Sequence, residues 1–203
     1  MNKYRVIFLG AVATVLFAFF VLVFVPHLQL LSVEPPAGLR AYADSELAGR
    51  QAYVSLGCVY CHSQQVRAPT FGSDEARGWG RASYPEDYAY DFPHQLGTMR
   101  TGPDLMNIGT RQPSRAWHYA HLYEPRAMTP GSLMPAFPFL FAVKNQAEMG
   151  DEIVELPAGV GPAGQVLVAL PRARVLVNYL LALRHEYPAG AGAAAAPAAE
   201  DGR

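Results

Sequence analysis

The chain has 203 residues, with 16 Lys and Arg against 17 Asp and Glu, giving a net charge of −1. That length suits one domain of ordinary size plus a membrane segment. The near-neutral balance supplies no field for a nucleic acid or another anionic partner.

From Val6 to Val25 the sequence is apolar, without a charge or a proline. At 1.5 Å per residue, twenty helical residues span about 30 Å, the thickness of a bilayer's hydrocarbon core. Lys3 and Arg5 precede the run, and no further Lys or Arg occurs until Arg40. This asymmetry predicts a cytoplasmic N-terminus with the bulk of the chain outside. A cleaved signal peptide is the rival reading, but its apolar region normally has about 7–15 residues. Ala41-Tyr42-Ala43 resembles a cleavage site, yet it lies far beyond the run and behind Pro35-Pro36. An uncleaved anchor is therefore expected over residues 1–26, ended by Pro26. Residues 27–43 read as an extended linker, because prolines disfavour helix.

The domain is expected over 44–187. Asp44 or Ser45 is a candidate cap for a helix running to about Leu56, stopped by Gly57. Glu46, Arg50 and Gln51 are expected on its wet face, with Leu47, Tyr53 and Val54 towards the core. Next comes Cys58-Val59-Tyr60-Cys61-His62, which holds the only two cysteines. Cys-x-x-Cys-His is the attachment signature of a c-type haem. The thiols add to the two vinyl groups, and the histidine supplies an axial nitrogen. A zinc site completed by His118 and His121, or a dithiol pair, would use the same cysteines. A thioredoxin-like pair would need a βαβ pattern, and none surrounds it.

From Pro69 to Gly102 the chain is rich in Gly, Pro, Tyr and charge, and reads as a long ordered loop whose aromatics need burial or a partner. Within Gly102-Pro103-Asp104-Leu105, the Pro103 carbonyl is a candidate acceptor for the distal ring nitrogen of His62, and Leu105 for a porphyrin face. Ser114 caps a predicted helix from Arg115 to about Tyr123, closed by Pro125. Thr129 to Phe139 is a proline-punctuated loop containing Met134-Pro135. A thioether on the other axial face favours a high potential, and Met134 is the leading candidate. Met99, Met106, Met128 and Met149 are other methionines, while His94, His118 and His121 are rivals for bis-histidine ligation. Arg67, Arg111 and Arg126 are candidates to neutralise haem propionates.

Asp151–Leu156 and Gln165–Leu170 are predicted to pair as a small β-hairpin. Pro171 suits the first position of a last helix, Arg172 to about His185. Val175, Leu176, Tyr179, Leu180 and Leu183 share one face of it. Residues 188–203 form an Ala/Gly/Pro tail expected to be disordered. The predicted fold is therefore mainly α: one N-terminal transmembrane helix, then a helical domain with a long ordered loop and a hairpin insertion.

Taken together these residues resemble a class I cytochrome c, and more closely one family. Gly49-Arg50, Gly57-Cys58-Val59-Tyr60-Cys61-His62-Ser63-Gln64 and Val66-Arg67 resemble the mono-haem subunit II of cbb3-type cytochrome c oxidases. So do Tyr90-Asp91, Pro93, Gly97, Arg100 to Leu105, Trp117-His118, His121-Leu122, Pro125-Arg126 and Met134-Pro135. The likeness runs from about Ala48 to Leu140 and includes the anchor. Arg77-Gly78-Trp79-Gly80 and the stretch after Leu140 depart from it.

The resemblance implies a haem domain on the periplasmic side of a bacterial inner membrane. It implies one covalent haem c, attached by Cys58 and Cys61 and ligated by His62 and Met134. Electrons would come from a di-haem c subunit or a soluble donor cytochrome c and pass to a catalytic haem–copper subunit. A freestanding anchored cytochrome c or the haem c subunit of a nitric oxide reductase would share these ligands and the anchor, whereas a haem-based sensor would need an open or readily displaced sixth position, against which Met134 argues. The chain alone shows no second metal constellation, so oxygen chemistry is expected elsewhere in a complex. Phe71, Trp79, Tyr84, Tyr88, Tyr90 and Phe92 are candidates for its partner interface.

Overall fold

The N-terminal apolar run forms one helix, Lys3–Leu31, long and apolar enough to cross a membrane. It comprises α1 (Lys3–Phe19), a π-helical turn (Phe20–Phe24) and α2 (Val25–Leu31). None of its residues is buried against the domain. The helix does not end at Pro26. Proline lacks the N–H for an i→i−4 bond and its ring clashes with that carbonyl. The π turn just upstream, with Val25 N–H donating to Phe20 O, shifts the ladder where the proline enters. The expected extended linker thus begins after Leu31 rather than at His27. This is a computed structural model, and it describes residues 2–188. Beyond Pro188, the expected Ala/Gly/Pro tail lies outside the described residues.

The rest is mainly helical: α3 (Asp44–Ser55), α4 (Ile108–Arg111), α5 (Arg115–Tyr123), α6 (Pro125–Met128) and α7 (Pro171–Ala182). A two-stranded antiparallel sheet pairs β1 (Phe141–Lys144) with β2 (Val166–Ala169). At the start of α3, Glu46 accepts a hydrogen bond from the Ala43 N–H at 2.8 Å. Ala43, not Asp44 or Ser45, is the cap residue. At its end Gly57 takes φ +76°, a left-handed conformation that glycine adopts without steric cost.

The α3–α7 crossing is the centre of the core. A Cβ on Gly49 would lie 1.9 Å from the Val175 carbonyl oxygen, so only glycine permits this approach. Tyr53, Ala173, Leu176, Val177 and Tyr179 are fully buried there. Each large apolar side chain so buried is worth about 1.5–3 kcal/mol. The expected faces of α3 need correcting. Leu47 and Val54 are exposed, whereas Gly49 and Ala52 are buried. Small residues let the two helices meet, which displaces the larger ones to the rim. Arg50 is not on a wet face, since its guanidinium is tucked against Asp91 at 2.5 Å and also donates to the Pro93 carbonyl.

The hairpin is present with a different first strand. β2 pairs with Phe141–Lys144, while in the predicted Asp151–Leu156 strand only Ile153 makes a bridge, to Val168. Residues 145–165 loop out between the true strands. Ser114 does cap α5, its Oγ accepting from the Trp117 N–H at 3.2 Å. Pro171 opens α7, as its spacing predicts.

The long loop splits its aromatics. Tyr88 is buried and donates to the Gln64 carbonyl at 2.8 Å. Trp79 packs with Val66, Tyr88 and Met106 and lies 5.2–5.8 Å from the guanidiniums of Arg77, Arg100 and Arg111. Phe71 and Phe92 remain over 80% exposed.

Candidate haem site

Gly57 turns the chain out of α3 into a 3-10 turn, Cys58–Tyr60, which presents the motif at the edge of the core. Both cysteines are free thiols and half-buried. Burial pushes the Cys58 thiol up to about 11, so it stays protonated at neutral pH.

The next segment is stitched to residues 102–105. Gly102 N–H donates to Cys61 O at 2.9 Å, and Leu105 N–H to Ser63 O at 2.8 Å. Between them His62 Nδ1 lies 2.7 Å from the Pro103 carbonyl oxygen. A carbonyl only accepts, so Nδ1 carries the proton and Nε2 keeps its lone pair. Burial lowers the His62 pKa, with the Pro103 bond opposing, which favours this neutral ring. Gly102 is required here. A Cβ would stand 2.3 Å from His62 Cε1.

These residues form one side of a cavity of about 590 Å³. Cys58, Cys61, His62, Pro103, Leu105 and Met134 all line it. Met134 comes from the 129–137 loop, where its N–H donates to Ser132 Oγ at 3.2 Å. Among the described residues it is the only methionine on the wall. Met106 is packed under Trp79, and Met99 and Met149 are exposed. His94 is exposed, stacked edge-on with Tyr88 and Phe92, and away from the cavity.

Arg67 and Arg126 are exposed and do not line the cavity, whereas Arg111 does. Its Nη2 donates to the Asp104 carbonyl, and burial holds its pKa below the ordinary value. In the sequence Arg67, Arg111 and Arg126 are equal candidates. What distinguishes Arg111 is the short helix α4, which directs its stem back over Asp104. Trp117, His118 and His121 complete the wall. Trp117 stacks on His121 at 4.5 Å, and His118 donates from Nε2 to Gln112 O at 2.8 Å. With His118 so engaged, the described residues hold no cluster of three or more His, Cys, Asp or Glu arranged for a metal ion.

The wall fits a haem. Two free thiols border it beside an imidazole with an available nitrogen, and a thioether stands on a separate loop. Leucine, isoleucine and aromatic faces supply apolar contact for a macrocycle. Arg111 Nε and His121 Nδ1 are buried without hydrogen-bond partners among the described residues, and both belong to wall residues. A guanidinium such as that of Arg111 suits a carboxylate of the kind such a group carries.

Comparison with curated proteins finds no match. A family model described as "Cytochrome C oxidase, mono-heme subunit/FixO" matches residues 1–161. That reach includes the anchor, the Cys58–His62 motif, Met134 and β1, and extends past Leu140, where the resemblance in the sequence ended. The chain therefore belongs to the mono-haem subunits of cytochrome c oxidase, one-haem electron-transport components of a terminal oxidase complex.

Proposed function

We propose that this chain relays electrons to the catalytic haem–copper subunit of a cbb3-type oxidase through one covalently attached haem c. The observation that carries the reading is the single cavity shared by Cys58, Cys61, His62 and Met134. The haem would supply a one-electron couple buried in protein. The chain's own residues do the rest. Cys58 and Cys61 would fix the group through thioethers, and His62 would offer Nε2, because the Pro103 carbonyl holds the proton on Nδ1. Met134 would offer its sulfur as a second ligand from the 129–137 loop. Leu105 and Trp117 exclude water, and Arg111 meets a carboxylate in place of Arg67 or Arg126.

Lys3 and Arg5 before the apolar helix support an N-terminus in the cytoplasm of a bacterial inner membrane and a haem domain in the periplasm. Donors of matching chemistry are a di-haem c subunit or a soluble cytochrome c. Phe71 and Phe92, exposed on the long loop, are the side chains that meet a partner subunit, whereas Tyr88 is committed to the core.

The full chain, purified from membranes, is expected to keep its haem on a denaturing gel and to give a c-type pyridine haemochrome. C58S and C61S are each expected to weaken that retention, and together to abolish it. Haem that washes out of the unaltered chain with acidified solvent would overturn the reading. Co-purification with a haem–copper subunit should fall in a Phe71→Ser, Phe92→Ser double variant. Unchanged recovery removes the loop from the interface.

A further inference from the structure

Behind the His62–Pro103 pair, several donors converge on one carboxylate that haem binding does not require. Asp104 is fully buried. Its Oδ2 accepts from Ser63 Oγ at 2.6 Å and from the Gln65 N–H at 2.8 Å. Its Oδ1 accepts from the Met106 N–H at 2.8 Å. Arg100 supplies the positive charge, with Nη2 3.6 Å from Asp104 Oδ2. The same guanidinium donates to Ser63 Oγ at 2.8 Å, Gln65 O at 2.6 Å and Asp74 Oδ1 at 2.6 Å. A buried carboxylate is tolerable only with such donors.

The position of this cluster in the chain matters. Ser63 directly follows His62, and Asp104 directly follows Pro103. Every bond of the Asp104 carboxylate to Ser63 and Gln65 therefore fixes the histidine segment against the proline segment, one residue beyond the ring–carbonyl pair. On the near side, Gly102 N–H on Cys61 O closes the bracket.

We propose that Asp104 is a positioning residue for the haem's histidine ligand, acting with Ser63 and Arg100. The inference rests on the haem reading above. The clamp holds the Pro103 carbonyl on His62 Nδ1–H. A firm acceptor there makes Nε2 a better donor to a metal, and a better donor stabilises the oxidised state. Loosening the clamp therefore frees the ring proton and moves the midpoint potential in the positive direction.

The test uses the full-length holo-protein, reduced and labelled at histidine. It reads hydrogen exchange of the His62 Nδ1 proton together with the midpoint potential. Ser63→Ala breaks the clamp without changing charge, and D104N breaks it while removing a charge. Both are expected to speed exchange about tenfold and to raise the potential. D74N removes a carboxylate from the same arginine but leaves Asp104's three donors, so it should shift the potential without speeding exchange. Leu176→Ala, a core truncation elsewhere, should lower the melting temperature and leave exchange unchanged.

If S63A exchanges at the unaltered rate, or D104N shifts the potential only as D74N does with exchange unmoved, Asp104 is merely a buried structural carboxylate. Should D104N not fold, S63A carries the decision alone. Absence of haem c from the unaltered protein would instead sink the haem reading itself.

Discussion

The His62 and Met134 sides of the cavity are built differently. On the histidine side, three hydrogen bonds and the Asp104 clamp tie residues 61–65 to 102–106 across some forty positions of sequence. On the methionine side the bonds are mostly local: Ser132 N–H to Thr129 O at 3.0 Å and Met134 N–H to Ser132 Oγ at 3.2 Å. The two ends of the loop are tied to helices, Thr129 N–H donating to Pro125 O at 2.8 Å and Phe137 N–H to Leu122 O at 2.9 Å. Leu133, beside the proposed ligand, is 78% exposed. The fold thus dictates where the imidazole stands, while a short turn supplies the thioether. A rigid partner on one face allows the other to be held lightly.

The largest expected effect breaks the rigid side. Gly102→Ala would place a methyl 2.3 Å from the His62 ring, so the ring or the 102–103 backbone must move. Overpacking plus the lost Pro103 bond should cost about 2–4 kcal/mol, read as a lowered denaturation midpoint with poorer haem retention. A cost no greater than that of a loop glycine with room for a methyl, such as Gly72→Ala, whose Cβ would meet nothing nearer than 3.5 Å, would mean the side is more compliant than its bonding suggests.

Next comes acid. Burial lowers the pKa of His118, whose Nε2–H is bonded to Gln112 O, to about 4. Its value in the unfolded chain is near 6.5. Between these values the unfolded state binds the extra proton, so this stability is present above about pH 6.5 and lost as pH falls towards 4. The loss amounts to about 3 kcal/mol at most. Denaturation midpoints from pH 7 to 4 should show it, and H118Q should flatten that slope relative to the unaltered chain.

The smallest effect on stability is expected on the loosely held side. Met134→Leu conserves volume and should cost under about 1.5 kcal/mol. Yet the reduced protein should then bind carbon monoxide promptly, with a shifted spectrum. A variant that stays unreactive would assign the thioether role to another side chain.

Much of the fold was legible because its signals are local. Gly57 after a helical stretch, Ser114 before one and Pro171 at the start of another each act within a turn of their own position. The Cys58–His62 motif is likewise contiguous. What was hidden depends on distant partners. Phe141–Lys144 pairs as a strand because Val166–Ala169 lies beside it, and its alternation is masked by Pro138 upstream. Pro26 reads as a helix stop until the π turn before it is seen. Arg50 is polar by type but half-buried against Asp91. Arg111 could not be ranked above Arg67 and Arg126, because all three look alike without the turn of α4. The Asp104 cluster joins Ser63, Arg100 and Asp74 from separate segments, and no spacing announces it.

The segment between the apolar helix and the domain carries a further consequence. Fully extended, residues 32–43 would reach about 40 Å and let the domain swing freely above a bilayer. From Pro36 onward they are instead laid along the domain surface. Pro36 is buried, Gly38 approaches so closely that a Cβ would lie 2.9 Å from Tyr187 Cβ, and Tyr42 packs 5.5 Å from Tyr179. The segment works as a bracket rather than a leash. With only the residues before Pro36 left free, the reach between the apolar helix and the domain shrinks to a few residues, about 13 Å.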